Sequence, residues 1–244
     1  MVRSRTPLML LPAMGCDGQL WARQIVDLAG LAQVEFGDLS QDDTLSAMAA
    51  RVLASAPPRF AVAGVSLGGY VAMEMVRQAP ERVTRIALFG TRGSMDGRPR
   101  TVAGQGMLAT APHADPHLSA NVSGPAQAMA DRVGPVVFER QQRALLARPD
   151  ISDAIAAIAV PTLVAVGDRD RICTPTTRSL YRCGSRARGS TCCAAAGIWR
   201  RWNARAKSPR CSANGSGRAE PGGGGQRLAV VIGAPATALR LAIR

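Results

Sequence analysis

Three features of residues 1–175 predict an α/β fold, a mainly parallel sheet with helices on both faces. Short apolar runs alternate with segments of helical period, Pro and Gly separate the two, and the helical segments are long enough to cross between parallel strands. A chain of 244 residues can bury a sizeable core in one large domain, and nothing requires a second.

Taken in order, PLMLL, QVEF, FAVAG, RIALFG and PTLVAVG are the apolar runs and read as strands. Between them QLWARQIVDLA, TLSAMAARVLASA and GGYVAMEMVRQA place apolar residues three and four apart, as crossover helices do, with Pro57, Pro58 and Pro80 at their ends. From about residue 92 to 159 the rhythm breaks into an Ala-, Gly-, Pro- and Met-rich segment with helical pieces such as VFERQQRALLA. This segment reads as a small lid inserted into a core spanning residues 1–178. Residues 179–244 form a basic tail in which stretches such as RCGSRARGSTCC offer no face to a core.

The formal net charge of +13 points at first to nucleic acid or an anionic membrane, but its distribution argues otherwise. Up to Pro175 there are 17 Arg against 16 acidic residues, whereas Thr176 to Arg244 hold 13 Arg plus Lys against Glu220 alone. Of the six cysteines, Cys183, Cys192, Cys193 and Cys211 lie in that same tail, without C-x-x-C pairs or nearby histidines. No metal, cofactor or disulfide framework is expected, and the reading is cytoplasmic. The apolar run after Met1 is short and broken by Pro7 and Pro12, so it is not read as a signal peptide. RLAVVIGAPATALRLAI is interrupted by Pro235 and Arg240 and is too short to span a membrane.

The chemistry centres on GVSLGGY, Gly64 to Tyr70, which follows the strand FAVAG and opens a helix. This is the context of a nucleophile elbow: a serine held on a strained strand-to-helix turn, with glycines where strand and helix backbones pass too closely for a side chain. Ser66 is the candidate nucleophile. Further on, VPTLVAVGDRDRICTP ends a strand in a G-x-x-D turn carrying Asp168 and Asp170.

With these landmarks in order, residues 7–175 resemble the α/β-hydrolase family. The resemblance implies Asp170 as the acid of a Ser-Asp-His triad, with Asp168 the second choice. It also implies an oxyanion hole made by the backbone N–H groups of Met14 and Leu67, LLPAMG standing where the family usually has an H-G-x sequence. Pro12 and Ala13 thus depart from the usual pattern. The implied partner is a small-molecule acyl substrate, a carboxylic ester or a related compound. Carbon–carbon bond hydrolases and perhydrolases share the triad, so the substrate stays open.

The triad histidine is missing. His113 and His117, in TAPHADPHLSA, precede the acid and read as solvated loop residues. The family places its histidine in a loop reading G-H-x-x-x-x-E-x-P, and there this chain has AAAGIWRRWNARA. Read one base earlier, each codon joins the third base of one residue to the first two of the next. Trp202 followed by Asn203 then gives GAA, glutamate, whatever the wobble. Gly197 followed by Ile198 permits histidine, and the whole stretch permits G-H-L-A-T-L-E-R-P. The same shift permits a strand-like G-S-R-L-D-V-L-R before it and a helical A-V-L-R-E-W-L-G after it.

The tail therefore reads as out-of-frame translation beginning near Thr177 to Tyr181, and the last strand and helix of the fold are expected to be missing. GC-rich DNA out of frame also yields the Arg, Ala, Gly, Ser and Cys that dominate there. The chain as written is expected to be nearly inactive. A reading from a different class keeps the fold without catalysis and has the arginine-rich tail bind an anionic partner; it lacks support in amphipathic spacing or aromatic interleaving.

Overall fold

A computed structural model describes residues 5–91, 116–149, 158–165 and 228–230. Among these residues six strands form one sheet in the order β2-β1-β3-β4-β5-β6, with every pairing parallel. They are β1 (Thr6–Leu11), β2 (Ala32–Phe36), β3 (Phe60–Val65), β4 (Val83–Phe89), β5 (Thr162–Ala165) and β6 (Leu228–Val230). The first five fall on the predicted apolar runs.

Alternation along the strands sorts side chains onto two faces. Met9, Leu11, Val62, Ile86, Leu88 and Val164 face α2 (Leu45–Ser55) and α3 (Leu67–Gln78) in one cluster. Leu8, Leu10, Ala61, Ala63, Ala87 and Leu163 belong to the other. Among the described residues that second face is covered by a 3₁₀ turn, Gly18–Trp21, running into α1 (Ala22–Leu28), with Leu20, Trp21 and Leu28 buried, and by the buried side chain of Met129. The helical period read from QLWARQIVDLA thus resolves into two pieces. Asp17 caps the first, its carboxylate accepting from the Gln19 N–H. Thr44 caps α2 in the same way, accepting from the Ala47 N–H at 3.2 Å.

From the predicted lid segment, α4 (Pro116–Leu146) is described and residues 92–115 and 150–157 are not. It is broken at Gly134 (φ 76°, ψ 163°), in backbone that favours glycine, and Pro135 starts the second helical piece; across Gly124–Pro125 the helix continues.

In one respect the structure departs from expectation. Leu228–Val230, part of the tail to which the sequence assigned no face toward a core, pairs with β5 in the register Thr162↔Leu228 to Val164↔Val230. The apolar run RLAVVIG, rich in β-branched residues, suits a strand wherever a neighbouring edge is open.

The chain leaves β1 for β2 on one side and returns to β3 on the other. In open parallel sheets such a switch point opens a crevice at the carboxyl ends of the two central strands, and ligands bind there. Here those ends are Leu11 and Val65.

Candidate active site at the ends of β1 and β3

Ser66 directly follows β3 and precedes the first residue of α3. Its backbone sits at φ 51°, ψ −109°, and it is the single non-glycine residue with positive φ among those described. A strand running straight into a helix forces the corner residue out of the regions an L side chain prefers, and such strain persists where its surroundings hold it. They do so here: the Ser66 N–H donates to the Phe89 carbonyl at 2.9 Å, and the Ser66 carbonyl accepts from the Gly69 and Tyr70 amides at 3.0 and 3.2 Å. The Thr91 hydroxyl lies 3.3 Å from that carbonyl and 3.2 Å from the Phe89 carbonyl. Ser66 stays partly exposed while Leu67, Gly68 and Gly69 are buried.

The glycines are there for space. A Cβ on Gly64 would stand 2.2 Å from the Gly68 carbonyl oxygen, and one on Gly68 would stand 2.4 Å from that of Leu11. Gly68 also donates its N–H to the Pro12 carbonyl at 3.1 Å. The start of α3 is thereby held against the loop leaving β1, and the segments carrying Leu67 and Met14 become neighbours. Leu67 is the first residue of α3, so its N–H has no carbonyl a turn earlier within the helix, and the positive end of the helix adds to its pull on negative charge.

Met14 occupies a tight turn. The Cys16 N–H donates to the Ala13 carbonyl at 3.1 Å, and Gly15 has φ 69°. With positive φ at the third position and not at the second, this is a type II turn, which favours glycine where Gly15 stands. The Met14 side chain is partly buried against the α2–α3 cluster. Gly15 donates its N–H to the Gln141 side-chain oxygen at 2.9 Å, and the Gln141 amide donates to the Leu39 carbonyl at 3.0 Å.

A cavity of about 420 Å³ opens between these loops and α4, bordered by Pro12, Cys16, Phe36, Leu39, Val137 and Gln141. Ser66 is not among its lining residues; the cavity lies over the ends of β1 and β2. Arg132 of α4 bonds Asp17 at 2.7 Å on its rim. Burial acts to raise the Asp17 pKa, but the hydrogen bonds from Arg132 and the Gln19 amide, with the charge of Arg132, outweigh it and hold the carboxyl below its ordinary value. Burial, with Asp17 beside it, pushes the Cys16 thiol up to about 12, so it remains a neutral thiol at physiological pH and is no nucleophile.

The other sequence-predicted residues are not brought into this picture. Asp168, Asp170 and His113 lie outside the described residues. His117 falls in the first turn of α4, and its side chain is likewise outside them. The strand expected to deliver the acid is present: β5 ends at Ala165, whose carbonyl accepts from the Gly90 N–H at 2.9 Å. Among the described residues no three His, Cys, Asp or Glu side chains cluster, and no helix is long and apolar enough to cross a membrane. Sequence reading missed Thr91 and Gln141. A single Thr after a strand, and a Gln inside an amphipathic helix, carry no signal of their own; a polar residue on the buried face of VFERQQRALLA was the only hint.

No family model matches the chain. Over 93 residues it is 41% identical to the pimeloyl-[acyl-carrier protein] methyl ester esterase of Pectobacterium carotovorum subsp. carotovorum (strain PC1), covering 33% of this chain and 35% of that one. Over 107 residues it is 31% identical to the protein of the same name from Aromatoleum aromaticum, covering 41% and 43%. The chain thus spans less than half the length of the curated relatives it matches. Among solved structures, it superposes on a thermophilic esterase from Thermogutta terrifontis with TM-score 0.60 and 23% identity, over 73% of this chain and 78% of that one. It superposes on the enol-lactonase from Burkholderia xenovorans LB400 with TM-score 0.61 and 17% identity, over 75% and 80%.

Proposed function

Since this chain has the α/β-hydrolase fold and is related to α/β-hydrolases over part of its length, we propose that it is a serine hydrolase acting on a carboxylic ester or related small acyl compound. In this reading Ser66 is the nucleophile, Asp170 the triad acid, and the Met14 and Leu67 amides the oxyanion donors. The observation that carries the proposal is Ser66 itself, held at φ 51° on the corner between β3 and α3, beside the point where the strand order reverses. Esterases among the relatives and structural neighbours support the reaction class.

The hydroxyl oxygen of Ser66 would attack the acyl carbon, and the carbonyl electron pair would move onto oxygen. Donors fixed before that charge develops need no reorganisation, and each is worth about 3 kcal/mol of barrier. Collapse would expel the alcohol and leave an acyl-enzyme, which water would hydrolyse. Both halves need a base to take a proton and return it, in this family an imidazole oriented by the acid.

We further propose that this imidazole is lost because the reading frame slips near Thr177 to Tyr181, and that the arginine-rich composition beyond is a by-product. Without the base the hydroxyl keeps its proton, and turnover falls on the order of 10⁶-fold. The test is to resequence the gene across Thr177 and to compare the 244-residue chain with a frame-restored one on short acyl esters and a fluorophosphonate. We expect rapid hydrolysis and a covalent adduct on Ser66 in the frame-restored chain, and rates lower by about that factor in the chain as written. Equal rates would overturn the frame proposal. A frame-restored chain with neither activity nor adduct would overturn the hydrolase.

A further inference from the structure

We propose that Gln141 is a positioning residue for the turn that carries Met14, a role that rests on the hydrolase reading above. Its side chain is 2% exposed and satisfied at both ends, accepting from the Gly15 N–H at 2.9 Å and donating to the Leu39 carbonyl at 3.0 Å. One residue of α4 thereby clamps the loop after β1 to the loop after β2, from 126 positions away in the chain.

The turn geometry explains why this clamp matters. Type I and type II turns differ by rotation of the peptide plane between their two central residues, here the plane joining Met14 to Gly15. Because glycine adopts either sign of φ with equal ease, Gly15 leaves both forms open. The Gly15 N–H lies in that plane, so a buried acceptor on it selects the type II form found here. A plane turned the other way would aim the N–H elsewhere and bring the Met14 carbonyl to face Gln141. The next plane back carries the Met14 N–H, the proposed oxyanion donor; both turn forms share the φ of Met14, so Gln141 acts on this donor by fixing the position of the turn as a whole against the loop after β2. Two further ties hold α4 in register: Arg132 to Asp17 at 2.7 Å, and Arg140 to the Ser40 carbonyl.

The experiment uses the 244-residue chain with three readouts: exchange protection of the Gly15 amide, melting temperature, and the rate of fluorophosphonate addition to Ser66. The last is followed by peptide mass spectrometry over long incubations and resolved into reagent binding and bond formation. Gln141→Met keeps the volume and removes both hydrogen bonds. It should lower Gly15 protection by about 10-fold and bond formation by about 10²-fold, the scale of a displaced oxyanion donor, while reagent binding holds.

Gln141→Glu supplies a second variant. Ionised, it cannot donate to Leu39; protonated, it has both an acceptor and an O–H donor and replaces the amide. Its rate relative to the unsubstituted chain should therefore recover as the pH is lowered, with recovery starting above the usual glutamate range because the site is buried. Cys16, Asp17, Asp38 and Arg132 border the same cavity and Arg140 lies beside it, so Asp17→Asn serves as the control for their titration.

Unchanged Gly15 protection in Gln141→Met, or unchanged bond formation where Ser66 of the unsubstituted chain reacts, would overturn the positioning role alone. The same holds for a Gln141→Glu rate that ignores pH. No Ser66 adduct above that of Ser66→Ala, here and in the frame-restored chain, would overturn the hydrolase reading and this role with it.

Discussion

The Gly68 amide donates to the Pro12 carbonyl at 3.1 Å, and this bond binds the first turn of α3 to the loop that leaves β1. The approach it requires leaves no room for a side chain on Gly68, whose Cβ would come within 2.4 Å of the Leu11 carbonyl oxygen.

Gly68→Ala should therefore destabilise the fold by about 1–3 kcal/mol, because backbone must move to admit the methyl group. A Cβ on Gly124 of α4 meets no atom of another element within 4 Å, but Gly124 precedes Pro125, whose ring crowds a preceding Cβ in helical backbone, so Gly124→Ala should cost less than Gly68→Ala without the gain an alanine usually brings inside a helix. Urea unfolding of the two variants checks the contrast.

The backbone of Ser66 predicts an ordering between two inactive variants. Ser66→Ala and Ser66→Gly both remove the hydroxyl, but only glycine accepts φ 51°, ψ −109° without strain. The glycine variant should be the more stable by about 1 kcal/mol, as read from thermal unfolding. Alanine equal to or above glycine would mean that the corner is not strained.

Asp17 predicts an acid dependence. Its carboxyl is held below the ordinary value near 3.8, so its contribution is complete above that pH and is lost as the pH falls through the lower folded-state value. The unsubstituted chain should be more stable than Asp17→Asn at neutral pH, and the gap should close below about pH 4. Unfolding at a series of pH values measures it.

Cys16, 4% exposed with its thiol raised to about 12, should resist iodoacetamide at pH 8 in the native chain and react once urea unfolds it. Peptide mapping at Cys16 distinguishes it from the other five cysteines.

Much of this molecule is local and so was legible in the sequence. Apolar alternation in FAVAG and helical spacing in GGYVAMEMVRQA mark β3 and α3, and the G-x-S-x-G between them marks Ser66 at their corner, because strand and helix periods are properties of consecutive residues. The predicted strands after β1 hold for the same reason. Where the 3₁₀ turn gives way to α1, and that α4 breaks at Gly134, depend on caps and a proline that periodicity does not count.

Contacts between distant segments are set by the folded arrangement and not by either segment alone. Gln141 reaches Gly15, Thr91 supports the Ser66 carbonyl, Arg132 pairs with Asp17, and a three-residue piece of the tail finds the edge of β5. The physical reason is that such contacts depend on how the sheet closes over its helices. A hydrogen bond between residues 126 positions apart leaves no periodic trace in either segment, whereas the strand and helix that present its two ends do.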